Sequence, residues 1–139
     1  MNYYLIGAGC LTAVAALMHI GCIIFGATWY RFFGAGEQMA VMAEQGLMKP
    51  TIITSFIVVV LSIWSLYAFS AAGLIGRLPL IRLGLIIITA TYLVRGVAGF
   101  YFVSHPIGRS SEFWIWSSVI CLCIGLIHLI GFIQQWASL

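Results

Sequence analysis

Aspartate is absent from this chain, and charge of either sign is scarce. Of 139 residues only 6% are charged, with six basic residues against three acids. A soluble domain carries about a quarter charged residues. Here 63% of the residues are hydrophobic and the mean hydropathy is +1.15, which places the chain in a membrane. Without aspartate there is no Ser–His–Asp arrangement, and no other catalytic constellation stands out, so the expectation is a protein that is not an enzyme. No Lys/Arg cluster of the kind that binds nucleic acid or anionic head groups is evident, and a nucleic-acid partner is excluded. The four cysteines, Cys10, Cys22, Cys121 and Cys123, all fall inside apolar runs, and no Cys-x-x-Cys occurs. They read as free, buried small hydrophobes, and no His/Cys/carboxylate set has zinc spacing. The basic excess, a formal +3, is ordinary loop charge.

What is present is a series of long apolar runs. A transmembrane strand would need segments of about ten residues in strict alternation, and these runs are too long and too uniform for that. At about twenty residues per span, the length accommodates four helices and short loops in one domain, residues 1–139. The spans are expected near 3–27, 51–72, 80–103 and 112–136. The fold class is therefore an all-α integral membrane protein: an antiparallel bundle of four transmembrane helices, with a short interfacial helix between the first two. No basic n-region precedes the first run, which is read as a retained span rather than a signal peptide.

In the first span Gly9, Ala13, Ala16, His19 and Gly26 share a face of small and polar residues, which suits close helix approach in lipid. Gly34-Ala35-Gly36 is expected to break this helix. Glu37 to Gln45 then reads as a short helix stopped by Gly46, with Met39, Val41 and Met42 turned to the bilayer interface. Lys49-Pro50-Thr51 opens the second span, whose polar stripe is Ser55, Ser62 and Ser65. Gly73 to Pro79 is a tight turn bearing Arg77, which makes the second and third spans antiparallel neighbours. Ser111 is the expected N-cap of the last span, with Glu112 in its first turn. There Ser118, Cys121, Gly125, His128, Phe132 and Gln135 form one seam.

The third span carries the most informative residue. Gly84, Thr91, Arg95 and Gly99 fall on one side of it, and Arg95 lies inside the apolar run. A guanidinium cannot lose its proton, and burying it costs a few kcal/mol even on lenient insertion scales. Four spans put both termini and the 73–82 turn on one side, A, and the other two loops on side B. Arg95 and His19 each lie about eight residues, roughly 12 Å, from side B. A pocket of Arg95, His19 and a glutamate from the loop helix, Glu44 before Glu37, is therefore expected, with Tyr92 and Thr91 beside it. His128 lies some 12 Å deeper and forms a secondary polar site with Ser62. That offset also rules out a bis-histidine haem, and no cofactor is implied.

Two functions follow from the residues. One is handling of a proton, an ion or a small anion, in which Arg95 holds negative charge, His19 titrates and Glu44 is the counter-ion. The other is a non-catalytic scaffold, its polar cluster structural and a face or loop free for a partner. Quinone or lipid binding by His19, Arg95, Tyr92 and Trp29 is a third. The bilayer is the first partner, with a homodimer or another membrane protein beyond it. The turn between the middle spans is short and purely basic, which points to side A as cytoplasmic.

The intramembrane histidine, Arg31-Phe32-Phe33-Gly34-Ala35-Gly36-Glu37, Lys49-Pro50-Thr51, Leu78-Pro79-Leu80-Ile81-Arg82 and Arg95 together resemble small four-helix inner-membrane proteins of Gram-negative bacteria. The resemblance implies a bacterial inner membrane and a connection with envelope or electrochemical homeostasis.

Overall fold

A computed structural model describes residues 2–33, 37–105 and 111–139. Its helices, in chain order, are α1 (Tyr3–Phe25), α2 (Ala27–Phe32), α3 (Glu37–Glu44), α4 (Lys49–Ala72), α5 (Ile81–Ser104) and α6 (Ser111–Gln135). A single 3₁₀ turn, Trp136–Ser138, follows α6. Four of these elements, α1, α4, α5 and the run Ser111–Ser138, are long and apolar enough to cross a bilayer. No strand occurs among the described residues. The protein is an all-α, multi-pass membrane bundle, and its spans agree with those read from the apolar runs to within a few residues.

The bundle is two hairpins. α1 packs chiefly on α4 and α5 chiefly on α6, while α1 against α6 joins the pairs. The middle spans, expected as close neighbours through their short turn, touch more sparingly. Their contact is aromatic: Tyr67 of α4 lies over Gly84 of α5, and Trp64 meets Tyr92 edge-on at 5.3 Å. Asn2 closes the assembly. Its side chain accepts from Leu5 N at 3.0 Å and donates to Gln134 at 2.9 Å, while its backbone N–H donates to Ala72.

The first span ends differently from the expectation. The helix breaks at Gly26 rather than at 34–36, a stretch outside the described residues. Gly26 has φ 73° and ψ −139°, a backbone state that a β-carbon would not tolerate, so the chain turns there. The turn folds α2 back, Trp29 lies over Gly21, and its ring stacks on Phe25 at 4.8 Å. Ala40 of α3 is fully buried beside Tyr30 and Cys22, which seats α3 on this corner. Tyr30 and Thr54 share a hydrogen bond of 3.0 Å that ties α2 to α4. The proposed N-cap Ser111 is instead the first helical residue of α6, its hydroxyl donating to Val103.

Candidate functional site: an unpaired arginine in the α5–α6 seam

α5 and α6 run antiparallel at close range because glycines face bulky side chains across the seam. Gly99 sits against Ser118, Gly96 against Leu122, and Gly125 against Tyr92 and Leu93. Each glycine lets a neighbouring side chain occupy the space where its own β-carbon would be. Arg95 leaves α5 one turn before Gly99 and uses that clearing. A β-carbon at Gly99 would stand 2.7 Å from Arg95 Nη1, well inside van der Waals contact.

The guanidinium spans the seam toward side B. Nη2 donates to Ser117 Oγ at 2.6 Å, and Cζ lies 4.9 Å from the centroid of the Trp114 ring. A desolvated cation over an indole contributes about 2 kcal/mol. These contacts disperse the charge without neutralising it. Among the described residues the buried Nη1 has no hydrogen-bond partner, nor has the buried Ser118 Oγ beside it at Gly99.

The carboxylates expected to pair with Arg95 are elsewhere. Glu37 and Glu44 both bind Arg31: Arg31 Nη2 meets Glu37 Oε1 at 2.8 Å, and its Nη1 meets Glu44 Oε1. The reason is topological. α3 packs on α2 and α4, and Arg95 belongs to a helix whose main neighbour is α6. The Arg31 guanidinium, hydrogen-bonded to both, holds the two carboxyls below their usual range and is itself raised, all three being at the exposed end. Among the described residues Arg95 makes no ion pair.

The other expected members of the pocket also separate. His19 Nδ1 donates to Ala15 O at 2.7 Å within α1 and makes no bond to Arg95. Thr91 is exposed to lipid and returns its hydroxyl to Ile87 O at 2.7 Å. Ser62 does the same to Val58 O at 2.7 Å, away from His128. Trp29 is folded onto α1, which removes it from any quinone site with Arg95.

Tyr92 joins a second centre, in the middle of the bundle. Its hydroxyl shares a 3.0 Å hydrogen bond with buried Thr12 of α1, and its ring stacks on His128 at 5.3 Å. His128 is fully buried, and its Nδ1 donates to Ile124 O at 2.9 Å, leaving Nε2 as an unpartnered acceptor. The α5–α6 register places Thr89, whose buried Oγ1 also lacks a partner, level with His128. Between the two centres lie the tight contacts of Gly96 with Leu122 and of Gly125 with Leu93. His128 stands beside Tyr92 rather than Ser62. Thr12, Thr89, Ser117 and Trp114 were not singled out from the sequence. The seam through Ser118, and Gly99 on the side of Arg95, were the available signals for the α6 partners.

The fold and seam define a multi-pass membrane bundle with an unpaired intramembrane cation. No family model, no curated protein and no solved structure matches the chain.

Proposed function

We propose that this is a small bacterial inner-membrane protein that handles a small anion at Arg95. One observation carries the reading: a permanently charged guanidinium sits inside a membrane-length helix, and among the described residues it meets no carboxylate and its buried Nη1 has no acceptor. An anion reaching this end of the seam, with the Ser118 and Arg95 side chains giving way beside Gly99, would accept from Nη1 and the Ser118 hydroxyl and would neutralise the charge. His19 and Glu44 have no part in this version of the pocket, so proton relay through them is set aside. Location in the inner membrane, side A cytoplasmic, and a link to envelope or electrochemical homeostasis rest on the resemblance and on the basic α4–α5 turn.

A scaffold role is the second reading. Its support is that Arg95 also clamps α5 to α6 through Ser117 and Trp114. Arg95→Gln and Arg95→Lys separate the two. Purified protein in nanodiscs would be titrated with chloride and inorganic phosphate and assayed for anion-dependent thermal shift, and for flux in proteoliposomes. The anion reading expects wild type to respond, Arg95→Lys to respond weakly, and Arg95→Gln to fold without responding. A wild type indifferent to anions, or a Gln variant that keeps the response, would leave the scaffold.

A further inference from the structure

The opposite end of α5 carries a second arrangement, unrelated to Arg95. The turn between α4 and α5 is not a loose connection. Ser70 Oγ donates to Gly76 O at 2.9 Å and accepts from Leu78 N at 3.0 Å, and Tyr67 donates to Pro79 O at 3.0 Å. These bonds hold residues 76–79 against α4. Leu80 then adopts a left-handed conformation with φ 52°, which costs an L-residue about 1 kcal/mol. A non-glycine residue held there signals a constrained segment with a use.

This pinned turn, the first residues of α5 and Leu139 line an open groove of about 630 Å³. Arg77 and Arg82 both line it. Arg77 donates to a main-chain carboxyl oxygen of Leu139. Arg82 donates to Trp136 O at 3.2 Å and lies 4.6 Å from the centroid of its ring. In each case Nη2 makes the bond, and the guanidinium has further N–H donors. The sequence separates these arginines by four residues and gave no sign of a cluster. The turn brings them to one groove.

The surroundings fix the ligand. The chain's acidic side chains, Glu37, Glu44 and Glu112, all belong to the other end of the bundle, so the main-chain carboxyl of Leu139, which Arg77 holds, is the one acidic group at the groove among the described residues, and it offsets only one of the two cations. The groove lies where α4 ends and α5 begins, at the level of the lipid head groups. Its rim is apolar, with Leu80 74% and Leu83 51% exposed, and Trp136 is an aromatic anchor of the interfacial kind. Paired guanidinium groups above exposed leucines suit a phosphate with acyl chains attached. We infer that Arg77 and Arg82 bind the head group of an anionic phospholipid in this groove, with its acyl chains over Leu80 and Leu83.

The test uses the full chain in a neutral detergent. Phosphatidylglycerol, phosphatidylcholine and free glycerol 3-phosphate would each be titrated, with thermal stability and retained lipid in native mass spectrometry as readouts. Phosphatidylglycerol is expected to raise the melting temperature saturably and to be retained, and the other two to do neither. Arg77→Gln and Arg82→Gln should each weaken retention about fivefold, and the double variant should abolish it. Arg95→Gln should retain phosphatidylglycerol unchanged, which keeps this site distinct from the anion site in the seam. Equal retention of phosphatidylcholine overturns the inference, as does an equal effect of glycerol 3-phosphate or a double variant that still selects phosphatidylglycerol. If the double variant does not fold, the wild-type comparison of the two lipids decides alone.

Discussion

Two polar centres share α5 and α6, and they solve opposite problems. At mid-bundle, Thr12, Tyr92 and His128 are neutral and fully enclosed, and their exposed alternative would be hydrocarbon. There a hydroxyl pair and a stacked imidazole knit three helices, leaving uncharged polar atoms, His128 Nε2 and Thr89 Oγ1, without a partner among the described residues. Toward side B, Arg95 is charged at every accessible pH and touches one neighbour, α6. Its contacts spread charge but leave a net cation in the seam. The difference teaches that neutral interior polarity can be absorbed by packing, whereas a fixed charge keeps demanding a counter-charge. The first centre reads as architecture and the second as a site.

Substitutions at Tyr92, Gly99, His128 and Arg31, and a change of pH, would sharpen or break that contrast. The largest effect belongs to the mid-bundle centre: Tyr92→Ala should cost about 3–5 kcal/mol in denaturant unfolding, because it empties a packed aromatic position. Tyr92→Phe keeps the ring and should cost only about 1 kcal/mol, the value of the bond to Thr12. Gly99→Val comes next. Its side chain would displace Arg95 and Ser118, and overpacking of this kind costs about 1–3 kcal/mol; anion response should fall with it. His128→Phe should change stability by less than about 1.5 kcal/mol, since ring volume and the stack on Tyr92 persist while an unpartnered acceptor disappears. A loss much larger than that would show that His128 holds more than the ring stack, and the contrast would fail.

The smallest effect lies at the exposed corner. Arg31 holds Glu37 and Glu44 below the usual carboxylate value of 4.5, so the ion pairs contribute at all pH above it. Their contribution is lost only as pH falls through the lowered values. Protection of the α3 amides, taken relative to intrinsic exchange at each pH, should be flat above pH 4.5 and fall below it, with the four spans unaffected. Arg31→Gln should remove that acid-side change.

Span positions were legible because apolar length and composition act locally. The break at Gly26 was not, since a glycine on a helical face looks the same whether it packs or turns; only the folded-back Trp29 distinguishes them. The depth of Arg95 was readable from residue counting, yet its partners were not. Counting gives height along the bundle but not which helix stands beside which. Glu44 has a suitable height, but Arg31 lies close in sequence and on an adjoining helix, and reaches it first. Ser117 and Trp114 have no signature as arginine partners until the α5–α6 register is known. Arg77 and Arg82 looked like ordinary loop charge for the same reason.

The link from Asn2 to Gln134 joins residues 132 positions apart. A chain delivered to the membrane from its N-terminus must therefore hold α1 and α4 as a paired unit while α5 and α6 are still being made. Only when the last turn of α6 arrives can Asn2 find its acceptor and the α1–α6 face close. Bundle closure is thus a late event of biogenesis. A ribosome stalled before residue 134 should leave a first hairpin whose α1 face remains open to lipid or to an insertion factor.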